Sequence, residues 1–138
     1  MNKMSTKLLI IIALFVLWTA ASIAPVFYSN SDPKGIPGFS ALFVGWLYLD
    51  LASWLANIIL FFALLFFIFN RFTVAIILSV ITLAMMLNFL RVDFYHAGTG
   101  ISTKEPITDI GLGYWAWVLS ALTLLFGSLM MKKNLKRS

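Results

Sequence analysis

Few side chains in this sequence carry reactive or ionisable groups, and one set of them is regularly spaced. Four polar or amphipathic residues recur at i, i+4, i+7 and i+11, namely Trp46, Asp50, Ser53 and Asn57. This spacing predicts one face of a helix, directed toward other helices or a cavity. A carboxylate in an apolar helix is a functional candidate by default. The alternative is a packing or interfacial role, with Asp50 paired to Arg91 or Lys104.

A second set of polar residues lies between Arg91 and Asp109. It contains Arg91, Asp93, the single histidine His96, and Glu105. A histidine beside carboxylates has the ligand types of a metal site or of an acid–base pair. These spacings match no metal motif, and the chain has no cysteine to supply thiolate ligands or disulfides. We therefore expect a solvated, hydrogen-bonded loop with no metal and no cofactor, in which His96 is an alternative sensor of external pH.

The third set is the stretch GLGYWAWVLS, residues 111–120. Tyr114, Trp115 and Trp117 are typical of a helix end at a membrane interface, where rings are buried and their polar groups meet water. Trp115 and Trp117 leave a helix in nearly opposite directions, so they cannot both face lipid. We expect at least one indole to pack against the Trp46–Asp50 region and to donate a hydrogen bond there, with Gly111 and Gly113 leaving room for a close neighbour.

The elements that position these residues are membrane helices. The sequence is 62% hydrophobic and only 11% charged, against about 25% charged residues in soluble domains. Apolar stretches cover about residues 8–26, 41–69, 72–90 and 110–131, each long enough to span a bilayer. We therefore predict a single polytopic domain over residues 1–138, an all-α, up-down bundle of four transmembrane helices with two outer loops.

The second apolar stretch is too long for a simple span. As one helix it would measure about 43 Å at 1.5 Å per residue, whereas the hydrocarbon core is about 30 Å thick. Either the helix tilts or protrudes, or residues 37–50 form a separate interfacial helix.

The distribution of basic residues predicts the orientation. With both termini in the cytoplasm, seven basic residues lie inside and three outside; those inside are Lys3, Lys7, Arg71, Lys132, Lys133, Lys136 and Arg137. The net charge of +5 is explained by this asymmetry, and we expect no nucleic-acid partner. We expect a bacterial inner-membrane protein whose first span is retained, because Pro25 follows the signal-like Ser22–Ala24 and disfavours cleavage.

Two resemblances follow from this layout. The layout of four spans in a short chain resembles that of small multidrug-resistance transporters. The first span, however, lacks the acidic residue that those proteins carry there. Residues 37–131 more closely resemble a loose group of small four-span bacterial inner-membrane proteins of unknown function. The shared motifs are Gly45-Trp46-Leu47, Trp54-Leu55-Ala56-Asn57 and the G-x-G-Y-W-x-W run of Gly111–Trp117.

These patterns lead to three functional hypotheses. The first is a non-enzymatic protein that binds another membrane protein or a second copy of itself, as a small accessory subunit or an immunity-type protein. The alternative is a small oligomeric transporter or channel that uses the Trp46/Asp50/Ser53/Asn57 stripe. The third, which we place last, is a lipid-acting enzyme that uses the outer carboxylates and His96.

Overall fold

The computed structural model describes residues 3–48, 51–96 and 104–136 and is mostly helical. Its helices are α1 Lys3–Ile23, α2 Gly38–Tyr48, α3 Leu51–Ile68, α4 Phe72–Phe89 and α5 Leu112–Lys136. Helices α1, α4 and α5 are long and apolar enough to cross a membrane, whereas the apolar part of α3, Trp54–Ile68, is shorter. The helices therefore agree with the membrane protein that the composition predicts.

The four longer helices pack in the order α3–α4–α5–α1. Helix α1 runs antiparallel to α5, because Ala21 approaches Gly113 while Ile10 approaches Gly127. Helix α4 is also antiparallel to α5, since the hydroxyl of Tyr114 donates to the carbonyl of Met86 at 2.9 Å and the opposite ends of the two helices meet in one cleft.

A tight turn joins α3 to α4. Asn70 adopts a left-handed conformation with φ of 60°, and the backbone N–H groups of Asn70 and Arg71 donate to the carbonyls of Phe67 and Phe66 at 3.1 and 2.8 Å. This is the Schellman pattern, which satisfies the last carbonyls of a helix. The Lys7 ammonium adds bonds to the Ile68 carbonyl at 2.6 Å and to Asn70 Oδ1 at 2.8 Å, so α1 is tied to the end of α3.

The opposite end of the helices carries an antiparallel sheet. Its strands are β1 Pro25–Ser29, β2 Ile36–Pro37, β3 Phe94–His96 and β4 Lys104–Ile110. The order across the sheet is β2-β1-β4-β3. The central pair places Phe27 opposite Ile110, and on the outer pair Phe94 lies opposite Pro106. We call this end of the molecule the sheet end.

The sheet corrects the prediction of an all-α protein with two outer loops. The connection between α1 and α2 contains β1 and β2, and the connection between α4 and α5 contains β3 and β4. The two connections are joined because β1 pairs with β4. Their backbone N–H and C=O groups lie against apolar helix ends, where unpaired groups are costly, and strand pairing satisfies them. The predicted helical regions themselves are largely retained.

The sheet is anchored in the helices by packed rings and close backbone contacts. Phe27 is fully buried, and its ring centroid lies 6.1 Å from that of Phe89 on α4 and 5.0 Å from that of Tyr95 on β3. The Gly111 N–H donates to the Val26 carbonyl at 2.7 Å. Sheet and helices therefore form one packed unit.

Candidate functional site

The described part of the second apolar stretch forms two helices, α2 and α3, rather than one long helix. The Trp54 indole N–H donates to the Leu42 carbonyl at 2.8 Å, a contact that one straight helix would forbid. The predicted stripe is therefore not a single helical face: Trp46 lies on α2, and Ser53 and Asn57 lie on α3. The side chains of Trp46 and Ser53, and the whole of Asp50, lie outside the described part of the structure.

A small cavity lies between α3, α4 and α5 at the sheet end. Its volume is about 30 Å³, and its described lining residues are Val26, Ala41, Trp54, Asn57, Met86, Phe89, Tyr114 and Trp117. Asn57 and Trp117 are only 7% and 5% exposed, and Asn57 Oδ1 and Trp117 Nε1 have no hydrogen-bond partner in the described structure. The cavity thus holds one buried acceptor and one buried donor that have no partner among the described residues.

The aromatic residues at the start of α5 divide as their spacing predicts. Trp117 points inward and lines the cavity, while Trp115 is 45% exposed and meets the Tyr114 ring edge-on at 5.1 Å. Trp117 Nε1 has no hydrogen-bond partner in the described structure. The side chains of residues 46–50 lie outside it, so the expected hydrogen bond of an indole to that region stays a prediction. Tyr114, by contrast, is bonded to α4 through Met86. The interfacial role expected for the exposed Trp115 stays a prediction.

Gly111 and Gly113 confirm the predicted close approach. A Cβ atom at either position would overlap or crowd backbone carbonyl oxygens of the segment from Ala21 to Pro25. This close packing brings the end of α1 and the start of α5 together, and it orients the ring-bearing turn of α5 toward the cavity.

A second cavity of about 20 Å³ lies farther from the sheet end, between α1, α3 and α5. Its lining residues are Leu14, Phe15, Trp18, Leu60, Phe61, Leu64, Ser120 and Leu124. The cavity therefore lies between α1 and α3, and α5 forms its floor. The Trp18 indole N–H in its wall is also buried without a partner. We call this apolar space the α1/α3 groove.

A hydrogen-bonded cluster holds the sheet together above the cavity. The Tyr95 hydroxyl lies 2.9 Å from Ser29 Oγ and 3.2 Å from Ser31 Oγ, and Ser31 donates to the Glu105 carboxylate. The cluster spans three strands and is buried at Ser29 and Tyr95. It positions the sheet, because each of its described members is bonded within the cluster.

The remaining predicted residues lie around the sheet. Arg91 and Asp93 are exposed, and the Asp93 carbonyl accepts from the Ile107 N–H at 2.9 Å. His96 belongs to β3, but its side chain is outside the described structure. The described residues contain no group of three acidic, histidine or cysteine side chains placed to hold a metal ion.

Sequence reasoning missed Trp18, Ser29 and Tyr95. Trp18 had a signal, since it is a lone indole in the apolar first span, and an indole N–H in such a place needs a partner. Ser29 and Tyr95 had none, because their roles depend on strand pairing between distant segments. The described residues of the site carry no charge. They can donate and accept hydrogen bonds within an apolar cavity.

Comparison of the chain with protein-family models, with curated proteins and with solved structures finds no match. The resemblance carried by the GLGYWAW run and its companion motifs therefore stays a prediction.

Proposed function

We propose that this chain is a non-enzymatic, multi-pass protein of the bacterial inner membrane that acts by binding another protein at its sheet end. In this proposal α1, α3, α4 and α5 are four spans, both termini are cytoplasmic, and the sheet lies outside. The protein would serve as a small accessory subunit of a membrane complex or as an immunity-type protein.

The charges at the two ends of the bundle support this orientation. Lys7, Arg71 and Lys132 lie at the end opposite the sheet, where Arg71 and Lys132 line one cleft. Acidic residues gather instead at the sheet end, among them Asp93, Glu105 and Asp109. Basic residues concentrate on the cytoplasmic side of membrane proteins, which favours an external sheet.

The observation that carries the proposal is an exposed aromatic ring on an edge strand. Phe94 is 55% exposed and lies opposite Pro106 on β4, which is exposed as well. The next residue, Tyr95, is buried against Phe27. Since side chains alternate between faces along a strand, Phe94 stands on the face turned away from the helices. An exposed apolar pair on this face is typical of a contact surface.

The backbone of β3 adds a second feature that a partner can use. The Asp93 carbonyl accepts from Ile107, and hydrogen bonds alternate along an antiparallel pair. The backbone groups of Phe94 therefore point away from β4, toward the edge where no described strand pairs. We propose that the partner is an extended protein segment that pairs with β3 and places an apolar side chain on Phe94 and Pro106.

The test compares two variants that each remove one exposed phenyl ring. Phe94→Ala is expected to abolish retention of the partner when tagged protein is cross-linked in native membranes, purified, and identified by mass spectrometry. Phe43→Ala is the matched control, because Phe43 is also an exposed phenyl ring but lies on α2. It is expected to retain the partner, because Phe43 belongs to no strand of the sheet.

Three outcomes decide the proposal. A partner retained by wild type and Phe43→Ala but lost by Phe94→Ala supports it, and a cross-link that joins β3 to a second copy of the chain identifies a homo-oligomer as that partner. Equal retention by both variants contradicts the β3 surface. Wild-type protein that is always recovered alone contradicts the function itself.

A further inference from the structure

We propose that the cavity and the α1/α3 groove together bind one lipid with a free hydroxyl group. The hydroxyl lies between Asn57 and Trp117, and the hydrocarbon chain follows the groove between α1 and α3. This site is separate from the β3 surface, and it does not depend on the proposed protein partner.

The unpaired groups define the polar end of the ligand. Asn57 Oδ1 requires a donor and Trp117 Nε1–H requires an acceptor, and both side chains line the same cavity. A hydroxyl supplies one donor and two acceptor lone pairs, so a single O–H group satisfies both. A buried polar group without a partner costs about 1–3 kcal/mol, so the pairing gives the ligand affinity for this position.

The size and charge of the cavity exclude a larger headgroup. About 10–15 Å³ is enough to hold one water molecule, so a cavity of about 30 Å³ accepts a group such as a terminal CH₂OH. The described lining residues carry no charge. Among these described residues a phosphate or an ammonium group would find no counter-charge, and burying an unpaired charge is strongly unfavourable.

The cavity and the groove share two of their walls, α3 and α5. On α3, Asn57 is followed one turn later by Leu60 and two turns later by Leu64 on the same face. On α5 the equivalent succession is Trp117, Ser120 and Leu124. Seven residues of helix extend about 10 Å, so the walls accommodate a hydrocarbon chain directed toward the middle of the bilayer.

Trp18 closes the third side at the level of the polar end. Because α1 and α5 are antiparallel, with Ala21 beside Gly113 and Ile10 beside Gly127, Trp18 lies at about the height of Trp117. Its unpaired N–H is a second donor beside the groove.

The experiment uses a long-chain alcohol and its methyl ether as matched probes. Dodecanol and 1-methoxydodecane have the same chain, but only the alcohol can donate to Asn57. Binding is measured by native mass spectrometry of the full chain in lauryldimethylamine oxide, a detergent without hydroxyl groups. The alcohol is expected to bind one to one and at least about 10-fold more tightly than the ether, as the loss of one buried hydrogen bond implies.

Substitutions locate the site. Asn57→Leu and Trp117→Phe each remove one polar group and keep most of the side-chain volume, so each is expected to weaken alcohol binding at least about 10-fold. Asn88→Leu and Trp115→Phe are matched controls at exposed positions and are expected to bind like wild type. Because Trp117→Phe keeps an aromatic ring in place, it remains informative if Asn57→Leu fails to fold.

Two results of these binding measurements would contradict the proposal. Equal affinity for the alcohol and the ether, or undiminished alcohol binding by Trp117→Phe, would overturn the proposal and assign the two polar groups to bound water.

Discussion

The indole N–H of Trp54 donates to the backbone carbonyl of Leu42 at 2.8 Å, although the two residues are 12 apart in sequence. In a straight helix that separation corresponds to a rise of about 18 Å, far beyond the reach of an indole. Helices α2 and α3 therefore do not lie on one straight axis, and α2 packs against α3. This places Ala41 of α2 and Trp54 of α3 in the wall of one cavity.

Trp54→Phe is expected to loosen α2 without unfolding the molecule. The substitution removes one hydrogen bond between α2 and α3, which is worth about 1 kcal/mol, and keeps an aromatic ring. Hydrogen exchange followed by mass spectrometry should show faster exchange in residues 38–48 and unchanged exchange in α4. Trp115→Phe serves as the control, and equally fast exchange of α2 in that variant would contradict the role given to Trp54.

Gly38 and Gly111 are expected to be intolerant of alanine. A Cβ atom at Gly38 would overlap the Ala21 carbonyl oxygen, and one at Gly111 would overlap that of Pro25. Both neighbours are backbone atoms, so either variant should lose about 1–3 kcal/mol of stability or more. Thermal unfolding in detergent measures the loss. Gly127→Ala is the control, because its Cβ meets the flexible Ile10 side chain at 3.0 Å, and an equal loss there would argue against backbone contact as the cause.

Replacing Asn70 by glycine is expected to cost less stability than replacing it by alanine. Its φ of 60° suits glycine and is costly for alanine by about 1–2 kcal/mol. Both replacements lose the bond from Lys7, so their difference isolates the backbone conformation. Equilibrium unfolding in mixed micelles should rank Asn70→Gly above Asn70→Ala by about 1 kcal/mol. The reverse order would show that the left-handed turn is not maintained.

Two buried hydroxyls on α4 are expected to respond in opposite ways to removal. Thr82 Oγ1 has no partner in the described structure, so Thr82→Val should leave stability unchanged or raise it by up to about 1 kcal/mol. Ser79 Oγ donates to the Ala75 carbonyl at 2.7 Å, and Ser79→Ala should lose about 0.5–1 kcal/mol. Both are measured by the same unfolding titration, and a marked loss in Thr82→Val would reveal a partner for its hydroxyl.

Hydropathy predicted the helices well because membrane burial depends on local composition. The stretch 72–90 corresponds to α4, Phe72–Phe89, and the stretch 110–131 to the greater part of α5. The length of the second stretch indicated the boundary between α2 and α3, because one of its two alternatives, a separate helix over residues 37–50, corresponds to α2, Gly38–Tyr48. Hydropathy alone did not choose between the alternatives, since both helices are apolar.

The sheet was not predicted, because two of its strands are very short and its paired segments are far apart in the sequence. Strand β2 has two residues and β3 has three, and pairing joins segments that lie far apart in the sequence. Strand β4 did carry a pattern, since exposed Lys104, Pro106 and Thr108 alternate with half-buried Glu105 and Ile107. Because β4 contains charged residues and a proline, its sequence was predicted to be a loop. The inward direction of Trp117 was predictable from helical geometry, whereas its missing partner depends on the packing of three helices.

The pairing of β1 with β4 has a consequence for the order in which the protein assembles. Phe27 pairs with Ile110, so β1 is synthesised before α3 and α4 but has no central partner until β4 follows. At about 5–20 residues per second, its edge stays open for several seconds during translation. The chain has no cysteine, so Ser29→Cys can report this interval. Ribosome-stalled chains that end after α4 should react with a maleimide at position 29, and complete chains, in which Ser29 is buried, should be protected.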